Sequence, residues 1–227
     1  MSFSKNCEQK ARDAMMGIRP ELSDKYSELI RFLAWQPDAA TNLRGRNSPQ
    51  IGSDEYIEKL AYSFANSRDP RRPSPPQTVP DEVVSVILNE FFDVPADQTE
   101  RVKNEHMLSM AAENLVGDLL ERYLAYVMED HGWIWCSGTI VKAVDFVRPL
   151  AGNNNWELLQ VKNRDNSENS SSSAIRKGTE IKKWFRTFSR RNATNWAAFP
   201  CDDVRNSLSE SAFQSYVRVY LKRLRGI

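Results

Sequence analysis

Asp145 and the triplet Gln160-Val161-Lys162 are the residues whose types and spacing could do chemistry together. Each falls in a segment of strand-like composition: Asp145 late in residues 139–148 (TIVKAVDFVR), the triplet at the end of 156–162 (WELLQVK). Residues two apart in a strand share a face, so Gln160 and Lys162 point together while Leu159 and Val161 point oppositely. If the intervening AGNNN loop closes the two segments into a hairpin, Asp145 approaches Gln160 and Lys162 at one strand edge. A carboxylate, an amide oxygen and an ammonium gathered there suit phosphodiester hydrolysis. The carboxylate holds a hard divalent cation, and the cation polarises the phosphate and activates a water. The ammonium orients or deprotonates that water and offsets phosphate charge. Each residue alone is ordinary, since an Asp between Val and Phe is commonly a hairpin residue and QVK is a plain alternating strand. Their order and spacing carry the inference.

The elements that must position this set are a helix before it and strands around it. Residues 107–130 give the most regular helix, with Leu115, Val116, Leu119, Leu120, Tyr123, Leu124 and Val127 as a continuous apolar stripe. Beside that stripe, Glu113, Gly117 and Glu121 recur every fourth residue. The two glutamates lie about 12 Å apart at 1.5 Å per residue, so both cannot bind one ion. Glu121 is the expected contributor, because Gly117 one turn earlier leaves room for a phosphate chain. After Gly132 the pattern turns strand-like: 133–136 is a short strand, 139–148 a longer one ended by Pro149, and 156–162 a third. A polar loop, NRDNSENSSSS, follows. The spacing then predicts a basic helix from about Ala174 or Thr179 to Ser189, with Ile181, Trp184, Phe185 and Phe188 as its apolar stripe. A last strand is expected at 195–199 (NWAAF), and a terminal helix around Phe213–Leu221.

Residues 1–100 form an expected helical N-terminal portion, with helices at 24–36, 54–64 and from Pro80 or Asp81 onward. A connector at 69–80 carries five prolines, which no helix interior tolerates. Residues 101–227 make the expected catalytic portion. The chain of 227 residues has a net charge of +1, which hides an asymmetry. Residues 1–130 carry 15 Lys/Arg against 22 Asp/Glu, and residues 131–227 carry 16 against 8. A one-sided basic half is the footprint of a polyanion binder. The segment 174–191 alone holds Arg176, Lys177, Lys182, Lys183, Arg186, Arg190 and Arg191 against one acid, Glu180. Phosphate contacts from such residues give affinity and register without sequence information. The polar loop offers groups that read base edges, and Asn163, Arg164, Asp165, Asn166, Glu168 and Asn169 are its candidates. Three scattered cysteines and two histidines, His106 and His131, make a disulfide framework or zinc site improbable. No apolar run reaches the roughly 18 residues of a membrane span. The first residues, MSFSKNCEQKARD, lack the apolar region of a secretory signal, so a cytoplasmic protein is expected.

Gly117-Asp118-Leu119-Leu120-Glu121 on a helix, Val144-Asp145 on a strand and then Gln160-Val161-Lys162 resemble the PD-(D/E)xK nuclease superfamily. The expected element order over roughly residues 107–200 is similar to its αβββαβ core. The stretch LLQVKNRDNSENSSSSAIRKGTEIKKWFR resembles more narrowly the type II restriction endonucleases of the SinI-like set. The resemblance implies an α/β fold, a restriction-endonuclease-like αβββαβ core with a mixed central sheet, plus the N-terminal helical portion. It implies Mg2+-dependent cleavage of double-stranded DNA at GGWCC, leaving 5′-phosphate ends. Asp145 and the Val161 carbonyl would bind Mg2+, Gln160 and Glu121 would complete its shell directly or through water, and Lys162 would orient the water. A palindromic target implies a homodimer, and a restriction system implies a cognate DNA methyltransferase as system partner. Two positions depart from the family pattern: Val144 replaces the proline, and neutral Gln160 replaces the second acid. The alternatives left open are a non-catalytic DNA-binding module with a decayed site, and a repair or RNA-processing nuclease of the same fold.

Overall fold

The computed structural model of this chain describes residues 3–152, 154–165 and 181–227. It divides into two compact units, Met1–Asp69 together with Glu121–Ile227, and Pro70–Leu120.

In the first unit, helices α1 (Cys7–Met16), α2 (Ser23–Trp35) and α3 (Asp54–Asn66) pack on one another. The Ser53 hydroxyl caps α3 by accepting from the Tyr56 N–H at 3.2 Å, and Pro37 follows the end of α2. Their apolar stripes meet in a core of Ala11, Met15, Tyr26, Leu29, Ile30, Leu33, Tyr56, Ile57, Leu60 and Phe64, all with essentially no exposure. The buried Tyr26 hydroxyl donates to the Ile57 carbonyl and the Tyr56 hydroxyl to the Thr41 carbonyl at 2.7 Å, so both phenols in that layer are satisfied. The same core takes in Ile134, Val144, Val147 and Leu158, and so joins the three helices to the sheet.

Among the described residues the sheet has four strands in the order β1 (Ile134–Trp135), β2 (Phe146–Pro149), β3 (Trp156–Arg164) and β4 (Ile181–Thr187). Strand β2 runs antiparallel to both β1 and β3, and β4 lies parallel to β3. The protein is thus mixed α/β with a mixed central sheet, in keeping with the restriction-endonuclease-like class. Further helices are α5 (Thr99–Met128), α6 (Asp202–Arg205) and α7 (Glu210–Arg225). An aromatic cluster of Tyr123, Trp184, Trp196, Phe199 and Phe213 ties α5, β4 and α7 together, with ring centroids 4.9 to 6.2 Å apart. In the second unit, α4 (Glu82–Glu90) starts at Asp81, whose side chain accepts from the Val83 N–H at 2.9 Å.

Three sequence expectations are corrected. Residues 181–187 form strand β4, not a helix: the three- and four-residue spacing of Ile181, Trp184, Phe185 and Phe188 imitates a helical stripe. These are also good strand formers, and parallel pairing from Leu158↔Ile181 to Arg164↔Thr187 satisfies their backbone. Residues 196–198 form a 3-10 turn in place of a strand, pinned by the Trp196 indole donating to Glu210 at 2.9 Å. Of 139–148, only Phe146 onward is strand, because Thr139 and Ala143 sit at φ of 52° and 58°, which breaks an extended run.

Candidate active site

Asp145 lies immediately before β2, where the backbone has just turned through Ala143. Its N–H donates to the Leu159 carbonyl at 2.9 Å, and its carbonyl accepts from the Cys136 N–H at 2.8 Å. The residue is therefore fixed from both neighbouring strands. Its Oδ2 accepts the Val161 N–H at 2.6 Å. The N–H and C=O of one strand residue leave on the same side, so the Val161 carbonyl projects toward the edge that holds Asp145. Burial raises the Asp145 carboxyl from the ordinary 3.8 to about 6, against the opposing pull of the Val161 N–H and the Lys162 ammonium. Lys162 is thus within electrostatic reach of Asp145, as the spacing predicts. Gln160 is buried, and neither its amide nor the half-buried Lys162 ammonium makes a hydrogen bond among the described residues.

Glu121 reaches this end of the sheet through a partner that sequence reasoning did not find. The Trp135 indole donates to Glu121 Oε2 at 2.9 Å, and Trp135 pairs with Phe146, the residue after Asp145. The Cys136 thiol is pushed well up by burial, and further by Asp145, Glu121 and Glu129, against the opposing pull of Arg68. A Trp in a two-residue strand gives no sequence signal of this role. A Cβ added at Gly117 would meet nothing within 4 Å, consistent with open space at that turn.

The donor set suits a hard cation. Asp145 and Glu121 could offer charge to such an ion and Gln160 and the Val161 carbonyl neutral oxygens, and burial outweighs the groups that favour the Asp145 charge. No group of three or more His, Cys, Asp or Glu side chains gathers around a metal position among the described residues. Any cation held here would therefore need the neutral oxygens as well.

The basic candidates divide by environment. Lys182 is committed to Glu157 at 2.6 Å, and Glu157 is also bound by Arg148 at 2.7 Å. Arg186 is held by Glu210 at 2.7 Å and by Asn163 at 3.0 Å. Asp165 accepts the Ser189 N–H at 2.8 Å. Lys183 and Arg164 are exposed. Asn166, Glu168, Asn169, Arg176 and Lys177 lie outside the described residues. Beyond the end of β4 an open cleft of about 610 Å³ is lined by Arg164, Arg190, Arg191, Asn192 and Gln214, with the Arg186–Glu210 pair in its wall. Arg191 stacks over the Phe188 ring at 3.5 Å.

No helix among the described residues is long and apolar enough to cross a membrane. Over 224 residues, 98% of this chain, the sequence is 56% identical to type II restriction enzyme Eco47I of Escherichia coli, covering 97% of that protein. It is 53% identical over the same length to type II restriction enzyme SinI of Salmonella infantis, again covering 97%. Residues 7–223 match the SinI restriction endonuclease family. With the site geometry and these matches together, the chain belongs to the SinI restriction endonuclease family.

Proposed function

We propose that this restriction endonuclease cleaves double-stranded DNA at GGWCC (W being A or T), using Mg2+ and leaving 5′-phosphate ends. The observation that carries the reading is the Asp145 carboxylate bonded to the Val161 N–H beside the Lys162 ammonium. Asp145 and the Val161 carbonyl would hold the ion, with Gln160 and Glu121 completing its shell directly or through water. Bound there, Mg2+ supplies Lewis acidity to the scissile phosphate. Lys162, free of any hydrogen bond among the described residues, orients the attacking water and offsets phosphate charge. Trp135 fixes the Glu121 carboxylate. The bond to the 3′ oxygen breaks, leaving phosphate on the 5′ end.

Exposed Lys183 and Arg164, and the Arg190–Arg191 turn, are the described residues best placed to meet the DNA backbone. A palindromic site calls for a homodimer. A methyltransferase of the same specificity would protect host DNA in the cytoplasm. The test is incubation of the purified protein with a long duplex and Mg2+. Discrete fragments ending at GGWCC support the reading, and discrete fragments ending elsewhere replace the target. Neutral Gln160 favours one competitor, a DNA-binding module with a decayed site, which predicts specific binding with no fragments in Mg2+ or Mn2+. Cutting confined to RNA or branched DNA would point to a processing or repair nuclease.

A further inference from the structure

Helix α4 turns its polar residues toward its own unit and its apolar residues toward water. Ser85 and Asn89, one turn apart, face the start of α5. Ser85 Oγ accepts from Lys103 Nζ at 3.2 Å, and Asn89 Nδ2 donates to Val94 O at 2.9 Å and to Thr99 Oγ1 at 3.0 Å. No residue of α4 is buried. Val83, Val84, Val86 and Ile87 are exposed, and so are Val79 before the helix and Phe91 and Phe92 after it, from 40% at Val84 to 92% at Val79. A surface helix that serves only its own chain has the opposite arrangement, with its stripe against the core.

The size of this patch indicates what covers it. At about 150–200 Å² for a fully exposed large apolar residue, those exposures amount to roughly 700 Å². That exceeds the roughly 300–600 Å² of the largest apolar patch on an ordinary monomer. It matches the roughly 800 Å² that each partner of a stable complex contributes. The charge around it has the wrong sign for DNA or an anionic membrane surface, because residues 70–120 carry nine Asp/Glu against four Lys/Arg. The run Val83, Val84, Ile87 and Phe91 contains no charge, so a two-fold axis through it brings like surface onto like without opposing ions.

We propose that α4 with its flanking residues, from Val79 to Phe92, is the surface on which two copies of this chain pair. The assignment rests on the restriction endonuclease reading only in supplying a reason for pairing, a two-fold DNA target. The pairing itself is measured without DNA or metal. Sedimentation or light scattering of the full chain is expected to give twice the 26.1 kDa of one copy. The double variant Ile87→Glu with Phe91→Glu should give the single-copy mass at the same concentration. Both side chains face water in the single chain, so its circular dichroism should match that of the unsubstituted protein. Should that variant unfold, the milder pair Ile87→Ser with Phe91→Ser is expected to weaken pairing at least 10-fold while remaining folded. Lys162→Ala should keep the doubled mass. A dimer that cuts no DNA would sink the nuclease reading and leave this one standing. A single-copy mass for the unsubstituted chain at 100 µM overturns the proposal, whether or not the protein then floats with neutral lipid vesicles. A doubled mass that survives both folded α4 variants overturns it equally.

Discussion

Asp145→Asn should make the metal-free protein more stable while abolishing cleavage. In the folded chain the Asp145 carboxyl titrates at about 6, against 3.8 ordinarily, chiefly because it is buried. A group raised on folding favours the folded state while protonated, so its contribution is complete below pH 4 and is lost as pH rises through 6. At 1.36 kcal/mol per pH unit, holding the ionised carboxylate at pH 8 costs about 3 kcal/mol. Asparagine keeps an oxygen for the Val161 N–H and removes the charge, but turns an amide NH2 toward the Lys162 ammonium at a cost of about 1 kcal/mol. The net expectation at pH 8 in EDTA is a gain of about 1–3 kcal/mol, or roughly 3–10 °C in Tm for a chain of this size. The gain should shrink between pH 6 and 4 and give way below that to a deficit of about 1 kcal/mol from the misplaced amide. Adding millimolar Mg2+ at pH 8 should raise the Tm of the unsubstituted protein and leave that of the variant unmoved. Urea melts at pH 8 and pH 4, with and without EDTA, measure all of this. A variant less stable than its parent at pH 8 would show that the carboxylate is comfortably charged without a cation, and the reasoning from burial would fail.

Lys162→Ala should lower cleavage at least about 100-fold, the scale of a lost proton-handling group, and should lower Tm at pH 8 but not at pH 4, because the ammonium offsets the buried Asp145 charge only while that carboxyl is ionised. Restored single-turnover rates at high pH would place Lys162 outside the chemistry. Arg68→Ala should cost about 3 kcal/mol in a denaturant melt, because Arg68 bonds Glu129, the Trp135 carbonyl and the Ser137 hydroxyl at 2.7, 3.0 and 3.1 Å. Burial pushes the Glu129 carboxyl up, but Arg68 and Lys25 outweigh it and hold it below the ordinary range. The stability it gives is present above about pH 4.5 and disappears as pH falls through the folded value, so the Arg68→Ala deficit should narrow in acid. Gly138→Ala should destabilise by about 2–4 kcal/mol, because φ is 87° and the new Cβ would stand 2.6 Å from the Ser63 carbonyl oxygen. A Tm within 2 °C of the parent would contradict that contact. Arg190→Gln with Arg191→Gln should weaken duplex binding and flatten the dependence of log K on log salt by up to about 0.9 per lost phosphate contact. An unaltered slope would remove the cleft beyond β4 from the DNA path.

Local pattern was enough where neighbours in sequence are also neighbours in space. Helices α2 and α3 begin within one residue of their expected starts, because their buried stripes and the following Pro37 are local signals. Strand β3 was legible from its alternation, and Gln160 and Lys162 with it. Strand β4 was not, because its pairing partner lies across residues 166–180 and its apolar spacing fits a helix equally well. Nor was the turn that aims Asp145. Ala143 at a φ of 58° is an alanine where a glycine would have advertised the conformation. Periodicity identified α4 as a helix, yet a period carries no information on which side meets protein and which meets water.

Gln160 makes physical sense once the burial around it is counted. Asp145 already titrates near 6 with only one N–H and one ammonium to favour its charge. A second carboxylate at the buried position 160 would repel it, and like charges raise each other's titration points. At neutral pH the pair would then retain a proton that the cation must displace. A neutral amide oxygen in that position leaves Asp145 ionised above pH 6 and still offers a ligand. In the proposed site the second charge would come from Glu121, carried on a different element and restrained by the Trp135 indole. On that proposal the departure from the PD-(D/E)xK pattern would move an acid from strand to helix, and Trp135→Phe, which removes the restraint on Glu121, should lower cleavage while Asp145 stays held by its ladder.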